Sequence, residues 1–182
     1  MRKHIAFCLI FAFLLSLASC SGREEVPALN YDNLTVPEDF SFAITWGCYG
    51  ISSYDSKTGK LVKTNHATHP EDYVTTFYFT EAELAEIEAL LSALDLQNYP
   101  DEYDPHLTED GQTTFSRPSM DLILTVEMNG EVKIVACRDI ALQYTSRVKK
   151  GNALLQTCKQ MIDQLTATEE WLALPDYEFL YD

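Results

Sequence analysis

The sequence predicts an α+β fold: an antiparallel sheet of about five strands with two main helices packed on one face, in the order βββ-α-ββ-α. Three observations predict it. Short runs of alternating apolar residues are separated by tight turn signals, which join strands antiparallel. Two longer stretches repeat apolar residues at helical spacing. The alternating strands and crossover helices of a doubly wound parallel sheet are missing from the pattern.

Phe40, Phe42, Ile44 and Trp46 alternate with Ser41, Ala43 and Thr45, so the first strand has one buried face. Gly47 and Gly50 flank Cys48-Tyr49, which suggests a bulge, with the chain extended onward to Tyr54. Asp55-Ser56-Lys57-Thr58-Gly59 has turn chemistry, and Lys60 to Thr64 returns as a second strand. After a polar loop over 65–72, Tyr73 to Phe79 is rich in β-branched and aromatic residues and reads as the third.

Thr80 and Glu83 form a capping box: the hydroxyl takes one free amide and the carboxylate reaches back for the other. Leu84, Ile87, Leu91 and Leu94 follow on one helical face. Residues 97–118 form a long loop with three prolines and many acids. Loops of that length in a compact domain often have a function. Met120, Leu122, Leu124 and Val126 then alternate up to Asn129-Gly130, and Val132 to Cys137 comes back. Asn-Gly tolerates positive φ at both positions, so a two-residue turn is expected there. That register places Leu122 opposite Cys137 and Leu124 opposite Val135. Leu154, Leu155, Cys158, Met161, Ile162 and Leu165 define a second helix over 152–165. Thr166 and Glu169 are expected to cap a short helix carrying Trp171, before Tyr177, Phe179 and Tyr181 alternate to the end.

Upstream of this domain, Arg2 and Lys3 precede an almost wholly apolar run from Ile5 to Leu17. The run is shorter than the ~20 residues of a membrane-spanning helix. It ends in Leu17-Ala18-Ser19-Cys20, small residues that fit a protease cleft followed by a thiol. This stretch resembles a bacterial lipoprotein signal with its lipobox. The resemblance covers residues 1–20 alone. It implies cleavage before Cys20 and diacylglycerol on that thiol, with two or three acyl chains for stable attachment. The expected organisation is a signal peptide at 1–19, a lipid anchor and flexible tether at 20–37, and one extracytoplasmic domain at 38–182.

Loss of residues 1–19 removes two basic residues and leaves 11 against 28 acidic ones, a net charge of −17. Such a surface repels phosphate backbones, so nucleic acid is not an expected partner. Peripheral docking on anionic lipid is disfavoured for the same reason. The expected attachment to the bacterial cell membrane is through lipid on Cys20, with the domain facing outside the cytoplasm.

Cys48, Cys137 and Cys158 remain in the mature chain, either as buried thiols or as one disulfide and a thiol. Cys137-Cys158 and Cys48-Cys137 are both open pairings. A nucleophilic thiol needs a base, and His66, His69 and His106 are the candidates. His66 and His69 lack the further ligands of a zinc site. Asp101, Asp104, His106 and Asp110, with Glu102 and Glu109, are weak candidates for calcium in the acidic loop 101–110; their spacing departs from the EF-hand pattern. Trp46, Tyr49, Tyr54 and Tyr177 are candidate aromatic contacts for a protein or carbohydrate ligand.

Gly-x-Ser-x-Gly, Walker A and Gly-x-Gly-x-x-Gly patterns are absent. The expected function is therefore a non-catalytic binding or assembly module with no cofactor. The alternative is an extracytoplasmic hydrolase or cation-binding protein using the acidic loop with His106 or His69.

Overall fold

The computed structural model describes residues 36–48, 52–64 and 72–176. The elements in chain order are β1 (Ser41–Gly47), β2 (Ser52–Asp55), β3 (Lys60–Thr64), β4 (Asp72–Thr76), α1 (Glu81–Ser92), β5 (Ser119–Met128), β6 (Glu131–Ala141), α2 (Lys149–Thr166) and the short α3 (Glu169–Leu172). A 3-10 turn, Leu96–Asn98, follows α1. The strands form one antiparallel sheet in the order β4-β3-β2-β1-β5-β6. The fold class is α+β, with two main helices against the sheet and six strands where about five are expected.

The extra strand arises at Gly47. The alternation from Phe40 reads as one strand extending toward Tyr54, but β1 stops at Gly47, whose φ of 147° suits a residue without Cβ. The chain then folds back, so that β2 pairs with β1, with Ile44 opposite Tyr54. At the other end of β2, Gly59 (φ 66°) closes the turn into β3.

Register explains the core. Leu61, Tyr54, Ile44, Leu124 and Val135 lie side by side across five strands, each at most 2% exposed. Trp46, Leu122 and Cys137 form a parallel row. Because side chains alternate along a strand, these rows share one face. Ile87 and Leu91 of α1 and Leu154, Leu155, Cys158, Met161 and Leu165 of α2 join the same buried cluster. Between β5 and β6, Leu122 faces Cys137 and Leu124 faces Val135, as the Asn-Gly turn predicts. Asn129 and Gly130 both have positive φ, at 55° and 76°. No helix among the described residues is long and apolar enough to cross a membrane.

The capping box of α1 is formed. The Glu83 amide donates to Thr80 Oγ1 at 3.3 Å, and the Thr80 amide donates to Glu83 Oε2 at 2.8 Å. Thr80→Ala is expected to cost about 1 kcal/mol in chemical denaturation, the usual worth of a side-chain cap; an unchanged midpoint would contradict it. At the other end of the domain the cap differs from expectation. Thr168, not Thr166, begins α3, its Oγ1 accepting from the Trp171 amide at 3.2 Å. Thr166 is still the last residue of α2, and its hydroxyl donates back to the Ile162 carbonyl at 2.9 Å. The short helix places Trp171 against Trp46, with ring centroids 5.7 Å apart.

Candidate functional site

The acidic segment does not gather its carboxylates. Its first part adds to the sheet: Glu102 bridges in parallel to Ala136 on the edge of β6, with the Ala136 amide donating to the Asp101 carbonyl at 2.7 Å and Tyr103 returning a bond at 2.9 Å. The side chain of Asp101 pairs with Lys133 at 2.6 Å. Asp104 accepts from the His106 amide at 2.8 Å and from the Thr113 hydroxyl at 2.5 Å. Asp110 accepts from the Thr108 hydroxyl. Asp101, Asp104 and Asp110 thus each have a local partner, and no group of three or more His, Cys, Asp or Glu residues that could hold a metal ion occurs among the described residues.

His106 behaves differently from the acids around it. It is 4% exposed, and its Nε2 is enclosed with no hydrogen-bond partner. Burial pushes its pKa below the ordinary histidine value, against the opposing pull of Asp104. The ring therefore stays neutral near pH 7 and can carry its one proton on either nitrogen. It forms part of the wall of a cavity of about 440 Å³, shared with Thr114, Gln143, Thr145, Ser146 and Arg147. No carboxylate among the described residues lines this cavity, although the chain carries 28 acidic side chains.

The cavity lies where the loop meets residues 143–147, the segment ahead of α2. Ser146 fastens the two: its hydroxyl donates to the Pro105 carbonyl at 2.7 Å and accepts from the Val148 amide at 3.0 Å. Its own amide donates to Asn152 Oδ1 at 3.0 Å. Gly151 permits the close approach, because a Cβ there would lie 1.9 Å from the Pro105 oxygen. Val148 is the N-cap of α2 and supplies no side-chain cap bond. Sequence reading missed this site because residues 143–148 carry no periodic pattern. The available signal was charge: Arg147, Lys149 and Lys150 crowd four positions of an otherwise acidic chain.

The aromatic candidates divide. Trp46 and Tyr54 are 7% and 2% exposed and belong to the core, so the expectation that they contact a ligand is corrected. Alternation from Phe42 puts Trp46 on the face that the helices cover, and pairing with Ile44 puts Tyr54 of β2 on the same face. Tyr54 packs against Phe42 and Phe79, at 5.6 and 5.5 Å, and donates to the Phe77 carbonyl at 3.2 Å. Tyr49 and Tyr177 lie outside the described residues, as do Cys20, His66 and His69.

Cys48, Cys137 and Cys158 form no disulfide with one another. Cys137 and Cys158 are fully enclosed. Burial pushes the Cys137 thiol up to about 12, with a further push from Asp104 and Glu102, and burial likewise raises Cys158. A thiol that remains protonated at neutral pH is a poor nucleophile, so these two act as core residues.

Fold and geometry together define an α+β domain with a polar, carboxylate-free cavity formed by His106, Thr114 and residues 143–147, and a separate pocket at the N-terminus of its longest described helix, where Val148 and Lys149 meet Glu109 and Asp110. Comparison with protein-family models gives no match, and comparison with curated proteins gives no similar sequence.

Proposed function

We propose that this chain is a bacterial lipoprotein: a signal peptide at 1–19 is removed, Cys20 takes lipid, and the domain faces outside the cytoplasm as a membrane-anchored, non-catalytic binding or assembly module. The observation that carries the reading is the sequence Leu17-Ala18-Ser19-Cys20 after a positive start and a short apolar run. A single acyl chain holds a protein only marginally, so the reading requires the diacyl form. The tether at 20–37 then spaces the domain from the bilayer, and its net negative charge opposes collapse onto anionic headgroups.

Two features of the domain support binding over catalysis. The enclosed thiols are held protonated. Asp101, Asp104 and Asp110 of the acidic segment are committed to separate local bonds, whereas the cavity beside His106 offers donors without an opposing acid. Cys20→Ala tests the anchor. The variant should appear in the soluble fraction or keep its leader, while the unaltered chain stays with the membrane. A processed Cys20→Ala protein that still sediments with the membrane would refute the proposal.

A further inference from the structure

We infer that the segment Thr168–Asp176 is a strap over Trp46, latched by Lys63 and able to open as a unit while the sheet and α2 stay folded. This concerns the domain alone and does not depend on the lipid at Cys20.

The latch is a buried lysine. Lys63, on β3, is 3% exposed. Its ammonium lies 5.2 Å from the centre of the Trp171 ring and 3.7 Å from a carboxylate oxygen of Asp176. It donates to the Leu174 carbonyl at 3.4 Å. Three positions of the strap thus converge on one cation. The other attachment is aromatic: Trp171 packs on Trp46 of β1, with ring centroids 5.7 Å apart and both rings buried. Because β2 lies between β1 and β3, these two contacts carry the strap across the sheet.

The backbone of the strap is tied to itself and to α2. The Thr168 amide donates to the Leu165 carbonyl at 3.3 Å. The amides of Leu172, Ala173 and Leu174 donate to the carbonyls of Thr168, Glu169 and Trp171. Among the described residues, none of its backbone bonds reaches a strand. Side chains therefore hold the strap to the sheet, and Trp171 is the buried residue of α3. A helix of four residues has no stability of its own in water, so α3 persists because Trp171 is docked. Undocking that ring releases the whole segment, with the end of α2 as its hinge.

Two opposed effects act at the same contact. Burial of the Trp171 ring favours the closed strap. Closure also takes an ammonium out of water, which is costly unless close partners compensate. The strap compensates weakly. Its carbonyl sits at the long end of hydrogen bonding, and the Asp176 side chain is fully exposed, where attraction across 3.7 Å is small. The cation–π contact offsets part of the loss. Opening returns the ammonium to water and uncovers the Trp46 ring, so the strap belongs to the low-stability end of the domain. The charge on Lys63 is what makes closure reversible.

The test is a urea titration of the purified full chain followed by two signals. The chain has two tryptophans, and both lie in this contact, so tryptophan emission reads the strap while far-ultraviolet circular dichroism reads the sheet and helices. Emission should change at lower urea than circular dichroism. Lys63→Met keeps an apolar stem against Trp171 and removes the charge. It should raise the emission midpoint toward the circular dichroism midpoint and slow hydrogen exchange at Leu172, Ala173 and Leu174 by roughly fivefold or more. Trp171→Ala should leave the circular dichroism midpoint near that of the unaltered chain, because the strap is already open when the sheet unfolds. Coincident transitions in the unaltered chain would overturn the inference, and that comparison needs no variant. So would unchanged or faster exchange in Lys63→Met, or a circular dichroism midpoint in Trp171→Ala lowered as for a core truncation.

Discussion

Gly151→Ala will destabilise the domain by about 1–3 kcal/mol, the usual cost of forcing atoms into a packed site. Helix propensity alone predicts the opposite sign, since alanine is favoured over glycine in a helix interior by about 1 kcal/mol. Geometry decides against propensity. The added Cβ would lie 1.9 Å from the Pro105 oxygen and 2.6 Å from its carbonyl carbon. Both are backbone atoms, so no side chain can rotate away. Either the loop or the helix must retreat, and the bond from the Ser146 hydroxyl to that same oxygen would break as it did so. The clean comparison is Ala153→Gly, an exposed position on the same helix, which should cost about 1 kcal/mol through propensity alone. Chemical denaturation of both variants checks the pair. A stabilised Gly151→Ala would mean that the Pro105 loop does not pack on α2.

Phe42→Ala has the larger expected effect, about 3–5 kcal/mol. Phe42 is 1% exposed and central to an aromatic cluster, with ring centroids 6.2 Å from Phe40, 5.6 Å from Tyr54 and 6.1 Å from Phe79. The variant loses the transfer free energy of the ring and leaves a cavity that rigid neighbours cannot close. A domain typically holds only about 5–15 kcal/mol of stability, so the loss is a large share of the whole. Phe115, by contrast, is 76% exposed, and Phe115→Ala should change stability by less than about 0.5 kcal/mol. Equal effects at the two positions would show that β1 does not face the core as described.

These contrasts also show what could be read from the sequence. The β5–β6 register was legible residue by residue because a two-residue turn leaves no slack: once Asn129 and Gly130 take positive φ, Leu124 must face Val135. The start of α1 was legible because Thr80 and Glu83 satisfy each other locally. The break between β1 and β2 was not, because alternation persists on both sides of it and only the two glycines mark the reversal. The burial of His106 was hidden for a different reason. Its neighbours are acidic and polar, and the loop that carries it packs, through Pro105, on Gly151 far along the chain. Whether Trp46 and Tyr54 fill the core or meet a ligand stayed open in the sequence, because alternation does not say how completely the helices cover a face; the structure buries both.

The central claim is that Cys20 becomes the acylated amino terminus of a membrane-anchored protein. Intact-mass and peptide mass spectrometry of the chain extracted from the membrane fraction tests it most directly. The proposal predicts a polypeptide beginning at Cys20, with a diacylglycerol thioether on its sulfur. A membrane-extracted chain that still carries residues 1–19, or one whose Cys20 bears no lipid, would contradict it.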